Sequence, residues 1–173
     1  MTRTALAQAI RRVAYLTGSF KLRSGQTSSF YWDKYRFESD PELLSAIAAE
    51  LESLLPAEPF DKLAGLELGG VPLATALALR TGKPCLFVRK AAKDYGTMNL
   101  VEGGFQPGES VVVVEDVITT AGQVVESVGR MRDLGLVVHH VLCVIDREQA
   151  GGDKLAAIGC EMHPLFTLRE LNQ

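Results

Sequence analysis

The sequence predicts an α/β fold, a doubly wound and mainly parallel sheet with helices on both faces. Three observations lead there. Val111-Val112-Val113-Val114 is too apolar for a surface strand and too β-branched for a comfortable helix, and suits a central strand covered on both sides. From Lys62 onward, short apolar runs alternate with helical patterns, the order of parallel strands joined by right-handed crossovers. At 173 residues, with 47% hydrophobic and 23% charged, the chain suffices for one domain burying roughly 70% of its unfolded surface. No internal repeat or linker divides it.

From Thr4 to Tyr15, Leu6, Ile10, Val13 and Ala14 recur at helical spacing with Arg11 and Arg12 on the wet side, and Gly18 ends the helix. Residues 19–33 read as a β-hairpin outside the main sheet. Phe20 and Leu22 alternate with basic residues, Ser24-Gly25 turns the chain, and Phe30-Tyr31-Trp32 favours a second strand. These aromatics suit either the packing of a small core or a wall for a flat ring. Asp40 as N-cap and Pro41 at the first helical position start a helix through Leu43, Leu44, Ile47, Leu51 and Leu54, ending before Pro56.

The first sheet strand is expected at Lys62 to Leu66. Glu67-Leu68-Gly69-Gly70 is a tight turn, and Val71-Pro72 opens a helix to about Thr81. Gly82-Lys83-Pro84 breaks it before the buried strand Cys85 to Val88. Arg89 to Gly108 is polar, contains glycines and crowds Arg89, Lys90 and Lys93 together. A loop this long is a lid, a binding loop or disorder, with a solvated basic loop as the plainer alternative. After the Val111 strand, Ala121 to Leu134 is a helix with Val124, Val125, Val128 and Met131 on one face. Val137 to Ile145 is a strand, Gly151-Gly152 a turn, Asp153 to Ile158 a short helix, and His163 to Leu168 the last strand.

A net charge of −3 argues against broad nucleic-acid binding while permitting a local basic site. No signal segment or membrane-spanning run is visible, so the expectation is a cytoplasmic protein with no membrane partner. Cys85, Cys143 and Cys160 lack CxxC spacing and read as buried free thiols. His139-His140 and His163 lack the spacing of a metal cluster.

Doubly wound sheets bind ligands at the C-terminal ends of their strands. Three ends therefore matter here: Glu67 to Gly70, Glu115 to Gly122, and Asp146-Arg147. At the second, the small-residue turn Thr119-Thr120-Ala121-Gly122 leaves backbone N–H groups pointing together at a helix N-terminus, a site for a dianionic phosphate. Thr119 and Thr120 add hydroxyl donors. Like charge keeps Glu115 and Asp116 off the phosphate, but one turn away they can accept hydrogen bonds from the vicinal hydroxyls of a ribose. A purely structural role, with both acids solvated at a strand end, stays open. The chain carries neither a GxxxxGK[ST] loop nor a GxGxxG fingerprint.

Glu115-Asp116-Val117-Ile118-Thr119-Thr120-Ala121-Gly122 after four valines resembles the phosphoribosyl pyrophosphate (PRPP) motif of the type I phosphoribosyltransferases. Within them the chain is similar to the orotate phosphoribosyltransferase family over nearly its whole length. The likeness runs through Phe20 to Gly25, Tyr31-Trp32-Asp33, Arg89-Lys90-Ala91-Ala92-Lys93-Asp94-Tyr95-Gly96-Thr97 and Asp146-Arg147-Glu148. It implies a type I phosphoribosyltransferase fold in a single domain 1–173. A small hood, carrying the hairpin, would comprise residues 1–40 and a part near 150–173, over a core of about 41–149.

The implied reaction is transfer of the 5-phosphoribosyl group from PRPP to orotate, giving orotidine 5′-monophosphate and pyrophosphate in pyrimidine biosynthesis. Implied catalytic residues are Lys93, Glu115 and Asp116, the two acids holding the ribose 2′- and 3′-hydroxyls. Arg23, Leu68, Gly69, Arg89, Lys90, Lys93, Tyr95 and the run Val117, Ile118, Thr119, Thr120, Ala121, Gly122 and Gln123 would complete the PRPP site. Tyr31, Trp32, Thr119 and Arg147 would bind orotate. Mg²⁺ would be the cofactor, held mainly through PRPP and water with no protein ligand set of its own. The partners would be the two substrates and a second subunit, with loop 89–104 reaching into the neighbouring site. Nucleic acid is not among them.

Four departures stand out. Arg23 and Gly69 occupy places where many or some members have lysine, and Tyr95 a place where some have histidine. Ala121 stands where glycine is common, leaving Gly122 to supply the turn. Rival readings are a phosphoribosyltransferase for a purine or uracil, and a PRPP-sensing regulator without catalysis.

Overall fold

The computed structural model describes residues 1–21, 25–91 and 100–173. Arg23, Lys93 and Tyr95 therefore lie outside the described residues. Helix α1 (Arg3–Ala14) is capped by Thr2, whose hydroxyl accepts from the Ala5 amide, and carries Arg11 and Arg12 in its last turn, where the helix dipole favours cations. It ends at Ala14, earlier than Gly18 suggested, because residues 15–21 pair as strand β1 (Tyr15–Lys21) with β2 (Thr27–Trp32). Gly18 lies at the irregularity between Thr17 and Phe20 of that hairpin. The hairpin forms its own two-stranded sheet, as expected.

A short helix α2 (Tyr35–Glu38) follows, then α3 (Pro41–Glu52), where Asp40 accepts from the amides of Glu42 and Leu43, both at 3.0 Å. The main sheet starts with β3 (Lys62–Leu66), α4 (Gly70–Thr81) and β4 (Cys85–Val88). Gly82 ends α4 in left-handed backbone, φ 69°. Next come β5 (Val101–Glu102), β6 (Ser110–Ile118), α5 (Gly122–Asp133), β7 (Val137–Asp146), α6 (Gly151–Ala157), β8 (Glu161–Thr167) and α7 (Leu168–Leu171).

The strand order is β5-β4-β3-β6-β7-β8, parallel except for β5, which pairs antiparallel with β4. From β3 the chain moves outward to β4, then returns to place β6 on the other side. The crevice between the ends of β3 and β6 is thus the topological switch point, where such sheets hold ligands. The valines of β6 divide between two cores because successive side chains point to opposite faces. Val112 and Val114 pack with Ile47 and Leu51 of α3 and Leu73 and Leu77 of α4. Val111 and Val113 pack with Val128 and Met131 of α5.

Four expectations need correction. Part of the long 89–108 loop is the edge strand β5, too short to show periodicity. Gly151 and Gly152 open α6 rather than forming a turn before it. β8 starts at Glu161, two residues before the expected His163. The last residues form α7, whose Thr167 and Glu170 make a reciprocal capping box.

Candidate active site

At the switch point, the peptide between Glu67 and Leu68 is cis, and Gly69 caps α4. A Cβ on Gly69 would lie 1.6 Å from Asp116 Oδ2 and 2.8 Å from Glu38 Oε1. Only a residue without a side chain lets this turn rest against those carboxylates in their observed positions.

β6 runs on to Ile118, so the two acids lie within the strand and take opposite sides of it. Asp116 is fully buried and faces α2 and the start of α4. Its Oδ2 is 2.5 Å from the Lys34 ammonium, and its Oδ1 accepts the Val117 amide at 2.5 Å. Glu115 is half-buried and lines a cavity on the α5 side, with Oε1 accepting the Asp116 amide at 2.8 Å. Burial, then the charge of Asp116, pushes the Glu115 carboxyl well above its ordinary range. The same two causes raise Glu38 to about 8, and its buried Oε1 has no hydrogen-bond partner among the described residues. Burial opposes the Lys34 ammonium, but Asp116 and Glu115 outweigh it and its pKa rises.

Lys34 and Glu38 were not singled out from sequence. Four residues apart on a single helical turn, they read as an ordinary polar turn; the i, i+4 spacing puts both on the side that meets Asp116.

The Glu115 cavity, about 360 Å³, is walled by Val117 to Val124 and Glu126. Thr119, Thr120, Ala121, Gly122 and Gln123 thus share one concave surface at the N-terminus of α5. The first α5 hydrogen bond runs from the Val125 amide to the Ala121 carbonyl, leaving the preceding amides as the free donors that an anion can use. The sharp turn is made by Ala121 itself, at φ 56° and ψ 8°, whereas Gly122 is already helical. The expectation that Gly122 supplies the turn is therefore wrong.

A second pocket, about 230 Å³, brings Tyr31, Trp32, Thr119 and Arg147 together with Lys34, Phe37, Val117, Ile145 and Leu168. Val117 and Thr119 border both cavities, so a group in one lies beside a group in the other. Trp32 also meets Tyr15 edge-on at 5.5 Å, and Tyr31 packs on Phe20 at 5.7 Å. The hairpin aromatics therefore pack on one another and, through Tyr31 and Trp32, also line this pocket. Arg147 is exposed at the end of β7, its amide donating to the Ile118 carbonyl at 2.9 Å. A further cavity, about 530 Å³ between α1 and α7, shares no lining residue with these two pockets.

Leu68 is 58% exposed at the crevice. The Lys90 amide donates to Glu67 at 2.9 Å and its carbonyl accepts from Arg130 at 2.9 Å, which fixes the start of the basic loop above the β3 turn. Arg89 is half-buried, and its buried Nε has no hydrogen-bond partner among the described residues. Ile118 is a core residue, contributing its backbone rather than its side chain to the turn.

No family model matches the chain. An orotate phosphoribosyltransferase of Nocardioides sp. is 50% identical over 167 residues, 96% of this chain and 93% of that protein. That of Halobacterium salinarum is 49% identical over 154 residues, 89% of this chain and 87% of that protein. Among solved structures, Mycobacterium tuberculosis orotate phosphoribosyltransferase in complex with Fe(III) dicitrate matches with a TM-score of 0.89 at 31% identity, over 99% of both chains. The same enzyme in complex with PRPP matches with a TM-score of 0.84 at 28% identity, again over 99% of both chains. With the sheet order, the switch-point crevice and the two adjoining pockets, these likenesses settle the family: the chain belongs to the orotate phosphoribosyltransferases.

Proposed function

We propose that this chain transfers the 5-phosphoribosyl group from PRPP to orotate, giving orotidine 5′-monophosphate and pyrophosphate, a step of pyrimidine biosynthesis. The observation that carries the reading is the adjacency of two pockets joined at Val117 and Thr119. One has the free amides of a helix N-terminus, as a 5′-phosphate requires. The other has aromatic walls and an arginine, as a flat anionic base requires. Glu115 and Asp116 accept from the ribose hydroxyls between them and favour the positive charge that develops on the sugar as pyrophosphate departs. Arg147 pairs with the carboxylate edge of orotate, and Lys34 sets a second cation at the same pocket, a charge that neither a purine nor uracil would use. Tyr31 and Trp32 hold the ring so that its nitrogen faces the anomeric carbon, opposite the leaving group. No protein atom bonds to substrate.

Leu68 and Gly69 border the space for pyrophosphate, and Arg89, Lys90, Lys93, Arg23 and Tyr95 close around it, with loop 89–104 excluding water. Mg²⁺ would be held mainly through PRPP oxygens and water. Asp116 is buried with its oxygens on Lys34 and the Val117 amide, and Glu115, which lines the cavity, is the hard oxygen donor nearest that space. When bound, Mg²⁺ offsets the charge of the PRPP polyanion. We further read the chain as one domain, with hood elements 1–40 and 150–173 over a core of 41–149, working as a homodimer in the cytoplasm. Among the described residues no helix is long and apolar enough to cross a membrane.

The test follows orotate consumption with PRPP and Mg²⁺, beside parallel reactions with hypoxanthine, adenine and uracil. Turnover of orotate alone is expected. Turnover of a purine without orotate would overturn the reading, and PRPP binding with no turnover of any base would favour a regulator.

A further inference from the structure

We infer that His140, Glu161 and His163 form a binding site for a borderline transition metal ion such as Zn²⁺, remote from the reaction centre. In the sequence these histidines lack the spacing of a metal cluster, because the ligands come from two strands. Parallel pairing of β7 with β8 sets His140 opposite Glu161 and Leu142 opposite His163, so all three side chains share one face. His140 Nδ1 lies 3.1 Å from His163 Nε2, and Glu161 Oε2 lies 3.9 Å from that same nitrogen. The three ligand atoms all fall within 4.8 Å of one another.

A tetrahedral Zn²⁺ with bonds of about 2.0–2.2 Å sets its ligand atoms roughly 3.3–3.5 Å apart. The two imidazoles, held on paired strands, are already near that spacing. The third ligand needs only a side-chain rotation, and the Glu161 side chain is 70% exposed. Two nitrogens and one carboxylate leave the fourth position to water. The neighbourhood suits a cation, since Glu161 and Glu58 both act on His163 with negative charge. Burial, the largest influence, keeps His163 below its ordinary pKa, and the proton that its hydrogen bond with His140 needs would leave as the ion binds. A cavity of about 260 Å³, lined by Glu58, Phe60, His139 and His140, opens beside the cluster.

His140 lies six residues before Asp146, about 20 Å along the strand. The site is therefore distinct from the oxygen-rich crevice where Mg²⁺ would serve PRPP. Its effect is mechanical. Among the described residues β8 is the sheet edge, paired with β7 alone, and a shared ion would fasten the two strands where the hydrogen-bonded pair starts.

The experiment uses the tag-free full chain, stripped with a chelator and without substrates. Zn²⁺ is titrated by calorimetry, and Co²⁺ is followed by its visible absorption. The expected result is one equivalent of Zn²⁺ bound at micromolar or lower Kd, a rise in Tm of a few degrees, and Co²⁺ bands of tetrahedral intensity. His163→Ala should weaken binding at least tenfold. Glu161→Gln, a surface change that leaves packing intact, should weaken it several-fold, with the Tm in chelator and the orotate turnover unchanged. Absence of stoichiometric binding would overturn the proposal, as would equal affinity in the wild type and Glu161→Gln.

Discussion

Ala150 and Ala121 both adopt left-handed backbone, at φ 57° and 56°, that crowds a Cβ against the following carbonyl. They differ in what their methyl groups do. Ala121 is 5% exposed within the α5 core, so replacing it with glycine relieves strain but loses packing. Ala150 is exposed and has only the strain. Ala150→Gly should therefore stabilise the protein by about 0.5–1 kcal/mol and raise Tm by roughly 1–4 °C. Thermal denaturation of the two proteins side by side checks this. Gly69 presents the opposite case, where a side chain is excluded by contact rather than by φ. Its Cβ position overlaps the Asp116 carboxylate, so Gly69→Ala must displace the acid. Displacement of about 1 Å costs on the order of 100-fold in rate, and kcat/KM for PRPP should fall by about that factor. Kinetics indistinguishable from wild type would show that the position of Asp116 is not critical.

At the scale of elements, the short turn Tyr35–Glu38 and its flanking Lys34 bring the most unexpected chemistry. Two carboxyl groups, Glu38 and Asp116, and the Lys34 ammonium crowd where α2 meets β6, and Glu38 is raised to about 8. A carboxyl whose folded pKa exceeds its unfolded value binds more protons when folded. Its contribution to stability is thus greatest below about pH 4.5 and is lost progressively as pH rises toward 8. Glu38→Gln removes a group that must be ionised in a buried place at high pH. The Tm difference between variant and wild type should grow in the variant's favour from pH 5 to pH 9. A difference independent of pH would mean that Glu38 does not titrate in this window.

For the whole molecule, the reading of a shared active site makes a prediction that no single subunit can meet. Lys93→Ala and Asp116→Ala each remove a different part of the site, and each homodimer should be nearly inactive. Mixed under conditions of subunit exchange, they should regain part of the wild-type activity, because some sites then combine an intact loop with an intact acid pair. No recovery despite demonstrated exchange would mean that each site is built from one chain. The parts of the fold visible in the sequence share a cause. β3 and β4 fall where the sequence placed them, at Lys62–Leu66 and Cys85–Val88, since continuous apolar runs between glycine and proline breakers mark buried strands. The elements that escaped, α2, β5 and α7, span only two to four residues each, too few for either period to repeat.

By itself the sequence determined the parallel sheet, its longer elements and the small-residue turn that opens α5, because periodicity, caps and the strand–turn–helix junction are local properties. It also singled out Tyr31, Trp32, Thr119 and Arg147, which fold into one pocket although more than a hundred residues separate the first from the last. Only the tertiary structure decided that Lys34 and Glu38 lie against Asp116, that Ala121 rather than Gly122 makes the turn, and that His140 meets His163. Charge, burial and ligand spacing at these places depend on distance through space, and a polar residue on a short turn carries no sign of what will be folded against it.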